Sequence, residues 1–419
     1  MTDADSVIRW NDVLLDVIRD VGGAPGPIAR GGAMVHGAIY DAVNSIVPSH
    51  EPYLVAVTAN PNASVDAAIA YAAHDTLSAA FPSTTIDLLQ ARTDALDLLA
   101  ATSSPTQLAA GKIVGKAAAA AMISARQDDG SDDNSPYVPN SGPGAWRPAP
   151  GAIAASPNWP KVKPFGMTSG DQFRPPRPGG YQSRTELLRS LEYAAQVNEV
   201  RQLGKSTSTV RTSEQTKIAF FWANDLDGTY KPPGQLFEIT QIVSAQKGLD
   251  VVENARLFAL VSLAMADAAV VAWDAKYATD LDLWRPDTAI QLADTDGNPA
   301  TIADPTWKPL SQDRAGVNFT PAFPSYISGH ATFAAAHAGI LRRYFGSDNV
   351  TFTATTEDPN PAAQGVTRKF NSFTEAAREN ARSRIYLGVH YQWDGDHGFL
   401  SGSSLADHIF TTQLTPVTT

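Results

Sequence analysis

The chain has no cysteine among its 419 residues. That excludes disulfides, thiolate metal sites and cysteine nucleophiles. Methionine is scarce too, at 5 residues. Cysteine and methionine are the side chains most readily oxidised. Compositional bias is the preferred reading of their scarcity; the alternative is a catalyst that makes oxidants. Positive charge is also short, with 32 lysines and arginines against 43 acidic residues and a net charge of -11. That argues against a nucleic-acid or anionic-membrane binder, which needs a positive surface, while leaving room for a local basic pocket. The longest apolar run, LFALVSLAMADAAVVAW at 257–273, is interrupted by Asp267 and is shorter than a membrane span usually needs. A buried bundle helix is expected there instead of a membrane span. The opening, MTDADSVIRWNDVLLD, lacks a basic stretch followed by an apolar one, so no secretory signal is expected and localisation stays open. Rossmann and P-loop fingerprints are absent, as is any repeat of short fixed period.

Helical periodicity dominates what is present. With 43% hydrophobic and 18% charged residues, the composition is ordinary for a globular protein, and the length suggests two or three domains. The run SVIRWNDVLLDVIRDV ends at Gly22-Gly23, and residues 28–46 form a second helix rich in small residues. His36 lies on its apolar face and is read as a core histidine. Further helices are expected at 63–80, 85–102, 105–126, 182–203, 213–223, 234–246, 251–275, 325–346, 372–389 and 394–412. Residues 349–357 hint at a strand or small hairpin. Between 127 and 181, proline, glycine and asparagine crowd the chain, which predicts a long loop that is functional or wraps another element. Its aspartates do not have EF-hand spacing and read as solvated turns.

Three separated segments hold unusual polar residues beside apolar helices. In WDAKYATDLDLWRPDTAI, Lys276 ends the long apolar helix and Arg285 precedes Pro286. In PAFPSYISGHATFAAAH, Ser328, Gly329 and His330 precede an alanine-rich helix. The stretch SRIYLGVHYQWD, read as one helix, carries Arg384, His390 and Asp394. Ser328 is a good N-cap, and Gly329 allows close backbone approach. A helix N-terminus with two arginine forks and a lysine makes a site for a tetrahedral oxyanion, either phosphate or a metal oxyanion of that shape. Of the two histidines, one suits bonding to the central atom and the other acid–base work on an axial oxygen. Each segment alone is weak: Arg384, for instance, has Glu375 and Glu379 as helix partners. The joint occurrence carries the argument.

These motifs resemble those of the vanadium-dependent haloperoxidases, bacterial members included, in the superfamily of type 2 phosphatidic-acid phosphatases. Ser383-Arg384, His390 and Asp394 match the third motif without a gap. Ser328-Gly329-His330 match the second, in FPSYISGH where the family more often has proline before the serine. The first departs, with eight residues between Lys276 and Arg285 where six are usual. FFWANDLDGTYKPPG at 220–234 also resembles bacterial members. The resemblance implies that vanadate is held by Lys276, Arg285, Ser328, Gly329 and Arg384, with His390 as the vanadium ligand. It implies that His330 is the acid–base group and that Lys276 polarises bound peroxide. Asp394 either orients His390 or is a helix-surface charge. Trp273 and Phe323 either line a halide pocket of chloroperoxidase type or are simply core.

The implied function is a peroxidase that oxidises bromide, and chloride as the harder halide, with hydrogen peroxide, halogenating small organic acceptors. A phosphomonoesterase with His390 as nucleophile is the alternative, and a non-catalytic anion binder the third reading. The expected fold is all-α, two packed helical bundles with the vanadate or phosphate site at one end of the C-terminal bundle. Residues 1–126 would form a structural N-terminal half, 127–181 the long loop, and 182–419 the site-bearing bundle. Small-residue helix faces suit a subunit interface, so a homodimer is an expectation to test.

Overall fold

The computed structural model describes residues 5–149 and 151–417. Helices dominate, and the one sheet among the described residues is an antiparallel pair, Phe352–Ala354 with Arg368–Phe370, in register Phe352 to Phe370. The expected strand near 349–357 is its first half. Its partner is equally short, three residues, and was not expected.

The organising element is the helix Val251–Tyr277. An Asp250–Glu253 capping box starts it, and its residues from Asn254 to Lys276 are buried apart from Arg256. Burying each Val, Leu or Phe there contributes about 1.5–3 kcal/mol. By length and composition this helix could cross a membrane, which corrects the estimate from the apolar run, but 94% of its most apolar window is buried inside the fold. Pro105–Arg126 passes the same length test with 33% of its window buried. Around Val251–Tyr277 pack Pro25–Ile46 on one side and Gly329–Tyr344 with Gln392–Thr412 on the other, and a continuous apolar core runs from Val7 to Leu414. His36 sits in this core against Phe237 and Phe258, bonded to Asn11. Burial pushes its pKa down to about 3, as a neutral core histidine requires.

The expected 85–102 helix shortens to Leu88–Leu99, and three others differ more in kind. The 182–203 segment is two helices, Arg184–Leu188 and Leu191–Leu203, because Ser190 caps the second by accepting from Tyr193 N. The expected 325–346 helix starts later, at Gly329, with Ser328 as its N-cap. The stretch SRIYLGVHYQWD is not one helix: Phe373–Tyr386 ends before Gly388, whose φ is +82°, and Gln392–Thr412 begins after His390. A Cβ at Gly388 would collide with the Gly204 carbonyl oxygen, so only glycine fits where the chain turns towards His390.

The 127–181 loop is tied to the long helix by buried carboxylates. Asp267 accepts from the backbone N–H groups of Phe165, Gly166 and Met167 at 2.6, 2.8 and 2.9 Å. Asp274 pairs with Arg174 through both oxygens. Asp282, beyond the helix end, accepts from Tyr137 and Asn140. The expected solvated turn is corrected at Asp129, which is buried and pairs with Arg30 of an N-terminal helix, while Asp133 pairs with Lys161.

Candidate active site

The three motifs converge at the N-terminus of Gly329–Tyr344. Ser328 caps that helix by accepting from Ala331 N at 3.4 Å. Its backbone carbonyl is 2.8 Å from where a Cβ on Gly398 would be, so the helix carrying Asp394 packs backbone to backbone against the cap. This contact brings the second and third motifs together. Gly329, His330, Arg384 and His390 line a cavity of about 250 Å³ with Trp273 and Phe323.

His390 is buried and lies in the turn between two helices. Its Nδ1 is 2.9 Å from Asp394 Oδ2, and its Nε2 is 3.1 Å from Arg285 Nη1. A guanidinium only donates, so Nε2 holds the lone pair and Nδ1 the proton. Burial, then Arg285 and Lys276, push the His390 pKa well below the ordinary histidine range. Asp394 is fully buried and also accepts from Ser325 Oγ at 2.5 Å and Tyr391 N at 3.2 Å. It is therefore an orienting partner of the ring and not a surface charge. Burial raises its pKa to about 6, against the hydrogen bond from Ser325 and the charge of Lys276.

The two arginines keep unused donors. Arg285 donates to the carbonyls of Phe323 and Val389, both at 2.7 Å, yet its Nη2 has no partner. Burial lowers its pKa to about 10. Arg384 binds Asp225 through Nη2 at 2.8 Å, while its Nε and Nη1 are buried without partners. Buried guanidinium donors are rarely left unmatched. Two such edges beside a helix N-terminus fit a tetrahedral oxyanion. Glu379, once a candidate partner for Arg384, pairs with Arg368.

Lys276 is placed differently. Its ammonium donates to the carbonyls of Pro324, Ser325 and Ile327 at 2.8, 3.1 and 2.5 Å, which uses all three of its hydrogens. It is fully buried and lies 4.9 Å over the Phe323 ring. Burial, then Arg285, lowers its pKa well below the lysine range. In this arrangement it braces the 324–327 turn and stands behind the cavity wall. Trp273 and Phe323 form that wall, with ring centroids 4.9 Å apart, and Trp273 Nε1 donates to Ala155 O in the long loop.

His330 Nε2 is 3.1 Å from the carbonyl of Ala223, which can only accept, so Nδ1 carries the lone pair. Burial and the Arg384 charge lower the His330 pKa to about 4. Sequence reasoning missed Asp225. Its carboxylate lines the cavity, pairs with Arg384 and stands 3.9 Å from His330. Burial alone would raise its pKa, but Arg384 and His330 hold it below the carboxylate range. The N-terminal helices also contribute more than support, since Gly23, Ala24 and Pro25 line the cavity mouth. Asp227 fastens that turn, accepting from Gly23 N at 3.1 Å and pairing with Lys231 at 2.6 Å. No sequence-local signal marked these residues.

The site thus sets two arginines with unmatched buried donors and a carboxylate-oriented histidine in an all-α bundle, an arrangement a tetrahedral oxyanion would fit. Residues 256–417 match the family model of the VCPO second helical-bundle domain. The chain is 32% identical over 234 residues to the vanadium chloroperoxidase of Curvularia inaequalis, a match covering 45% of this chain and 37% of that protein. The chain thus spans little more than a third of that relative's length. Over nearly the whole chain the fold is that of a crystallised bacterial vanadium-dependent iodoperoxidase, at TM-score 0.79 and 25% identity, covering 97% of this chain and 96% of that one. A bacterial vanadium-dependent chloroperoxidase in its holo form shares the fold at TM-score 0.72 and 18% identity, over 94% and 93% of the two chains. The chain is similar to the vanadium haloperoxidases, by sequence in its C-terminal part and by fold throughout.

Proposed function

We propose that this chain is a vanadate-dependent haloperoxidase that oxidises bromide with hydrogen peroxide to hypobromous acid, with chloride the more demanding second substrate. The observation that carries the reading is the pair of buried guanidiniums with unmatched donors, Nη2 of Arg285 and Nε and Nη1 of Arg384, near a histidine that holds its lone pair on Nε2, where it accepts from Arg285 Nη1. Arg285, Arg384, Ser328 and the N–H of Gly329 would hold the vanadate oxygens, and His390 Nε2 would ligate the metal. Lys276 adds positive charge from behind Phe323. Bound vanadate supplies Lewis-acid activation of hydrogen peroxide towards halide attack.

The chain's own residues do the rest. Asp394 accepts from His390 Nδ1, which leaves the lone pair on Nε2, the nitrogen that would ligate the metal. His330, neutral at pH 7, takes or returns a proton at Nδ1 while Ala223 O holds Nε2. Trp273 and Phe323 give the halide a poorly hydrated wall, flanked by the Lys276 and Arg285 cations over the Phe323 ring.

A paired assay tests this. Purified protein, with and without orthovanadate, is assayed for bromination of monochlorodimedone by bromide and peroxide, and for hydrolysis of a chromogenic phosphate monoester. Vanadate-dependent bromination that disappears in His390→Ala is the expected result. Rapid ester hydrolysis inhibited by vanadate, without bromination, would make the protein a phosphatase instead.

A further inference from the structure

Lys276 and Arg285 are separated by eight residues, and the link between them is tied to the long loop. Trp146 N donates to Asp282 O and Trp284 N to Gly144 O, both at 2.8 Å. The Asp282 carboxylate accepts from Tyr137 and Asn140. The two ends of this link turn to different partners. Arg285 reaches the carbonyls of Phe323 and Val389 and keeps Nη2 unmatched. Lys276, in the last turn of Val251–Tyr277, reaches the carbonyls of Pro324, Ser325 and Ile327.

An oxyanion is held by hydrogens that have no other acceptor. Arg285 and Arg384 offer three nitrogens of that kind, Nη2 of the first and Nε and Nη1 of the second. Lys276 offers none, because three acceptors exhaust the hydrogens of one ammonium. Turning Nζ towards an anion would take the donor from three carbonyls of buried residues, a cost the arginines do not meet.

The turn that Lys276 grips begins directly after Phe323. That ring has its centroid 4.9 Å from the Trp273 ring and 4.9 Å from Lys276 Nζ. On its other side the turn is secured without the lysine: Ser325 N donates to Leu283 O at 2.8 Å, Ser325 Oγ to Asp394 Oδ2 at 2.5 Å, and Ser328 N to Asp394 O at 3.0 Å. The histidine side of the site therefore has its own ties, while the aromatic wall depends on the lysine.

We propose that Lys276 does not bind the oxyanion and is instead a positioning residue for halide. Its grip on the 324–327 turn sets where the Phe323 ring stands in the cavity, and so how well a halide binds against it. The inference rests on the haloperoxidase reading.

Lys276→Met keeps the stem and removes the three donors together with the cation beside Phe323. Equilibrium dialysis should find its vanadate affinity within threefold of wild type. Its KM for bromide should rise at least fivefold, and its kcat should change by a smaller factor. Lys276→Gln returns two hydrogens to the carbonyls and should recover part of the bromide KM. A tenfold loss of vanadate affinity in Lys276→Met, or a bromide KM that does not move, overturns the proposal. Crystals of the vanadate-loaded wild type test it without any substitution. Nζ should remain on the three carbonyls, and bromide soaked into the crystals should appear against Phe323 by its anomalous scattering. Nζ within about 3.2 Å of a vanadate oxygen, or bromide bound only elsewhere, overturns the proposal even if the variants fail to fold. A wild type that binds vanadate and brominates nothing sinks the haloperoxidase reading and the halide role with it. A lysine on vanadate in a brominating enzyme sinks this proposal alone.

Discussion

Arg384 and Asp225 are joined through one guanidinium nitrogen, Nη2, at 2.8 Å, which leaves Nε and Nη1 of the arginine buried and unmatched. Asp225 thus fixes the plane of the fork without occupying the edge that faces an oxyanion. The same carboxylate stands 3.9 Å from His330 and favours its protonated form. Asp225→Ala should weaken vanadate affinity roughly tenfold, as loss of an orienting partner typically does. It should also move the protonation of His330 below its present value of about 4, so the acid limb of the bromination profile shifts to lower pH. Equilibrium dialysis of vanadate and a pH–rate profile read the two effects separately. An acid limb that stays in place would show that Asp225 does not act on His330.

Asp394 has a pKa raised to about 6 from 3.8 by its burial. The folded state therefore holds this proton more tightly than the unfolded chain. The stabilisation is complete below about pH 4 and is lost as pH rises through about 6. Asp394→Asn removes this dependence, so its stability relative to wild type should improve between pH 4.5 and pH 7.5 in urea titrations. Vanadate affinity should nevertheless fall by about 10–100-fold, because the amide orients the His390 ring less strongly. Unchanged relative stability across that range would contradict the assignment.

Asp267 is the principal tie between the long loop and the core. Asp267→Ala would leave three backbone N–H groups, those of Phe165, Gly166 and Met167, without their acceptor. A loss of about 3–5 kcal/mol is expected, the scale for removing one partner from a buried charged contact. Urea unfolding gives the stability change, and limited proteolysis should find new cleavage within 127–181. Asp267→Asn keeps one acceptor and should lose less.

The parts of this molecule legible in the sequence were those whose signal is local. Helical periodicity gave the bundle, and Arg285, Ser328-Gly329-His330 and Arg384 with His390 could be assembled from motifs because each lies within a few residues of a helix end. Gly388 was a readable stop signal, yet the apolar residues around it masked the break before His390. Asp225 was not readable, because NDLDG resembles any polar turn and its role depends on Arg384, far along the chain. The placement of Gly23–Pro25 at the cavity mouth is tertiary in the same sense. The turn of the Lys276 ammonium onto three carbonyls depends on the path of residues 324–327, which no spacing rule specifies.

The cavity takes its mouth from Gly23–Pro25 and its deepest groups from Arg384 and His390, so nearly the whole chain must be synthesised before it closes. Contacts this distant in sequence form late. Under the proposed function, a nascent or C-terminally truncated chain has no complete cradle and releases no hypohalous acid. Synthesis through His390 becomes the condition for making a reactive product.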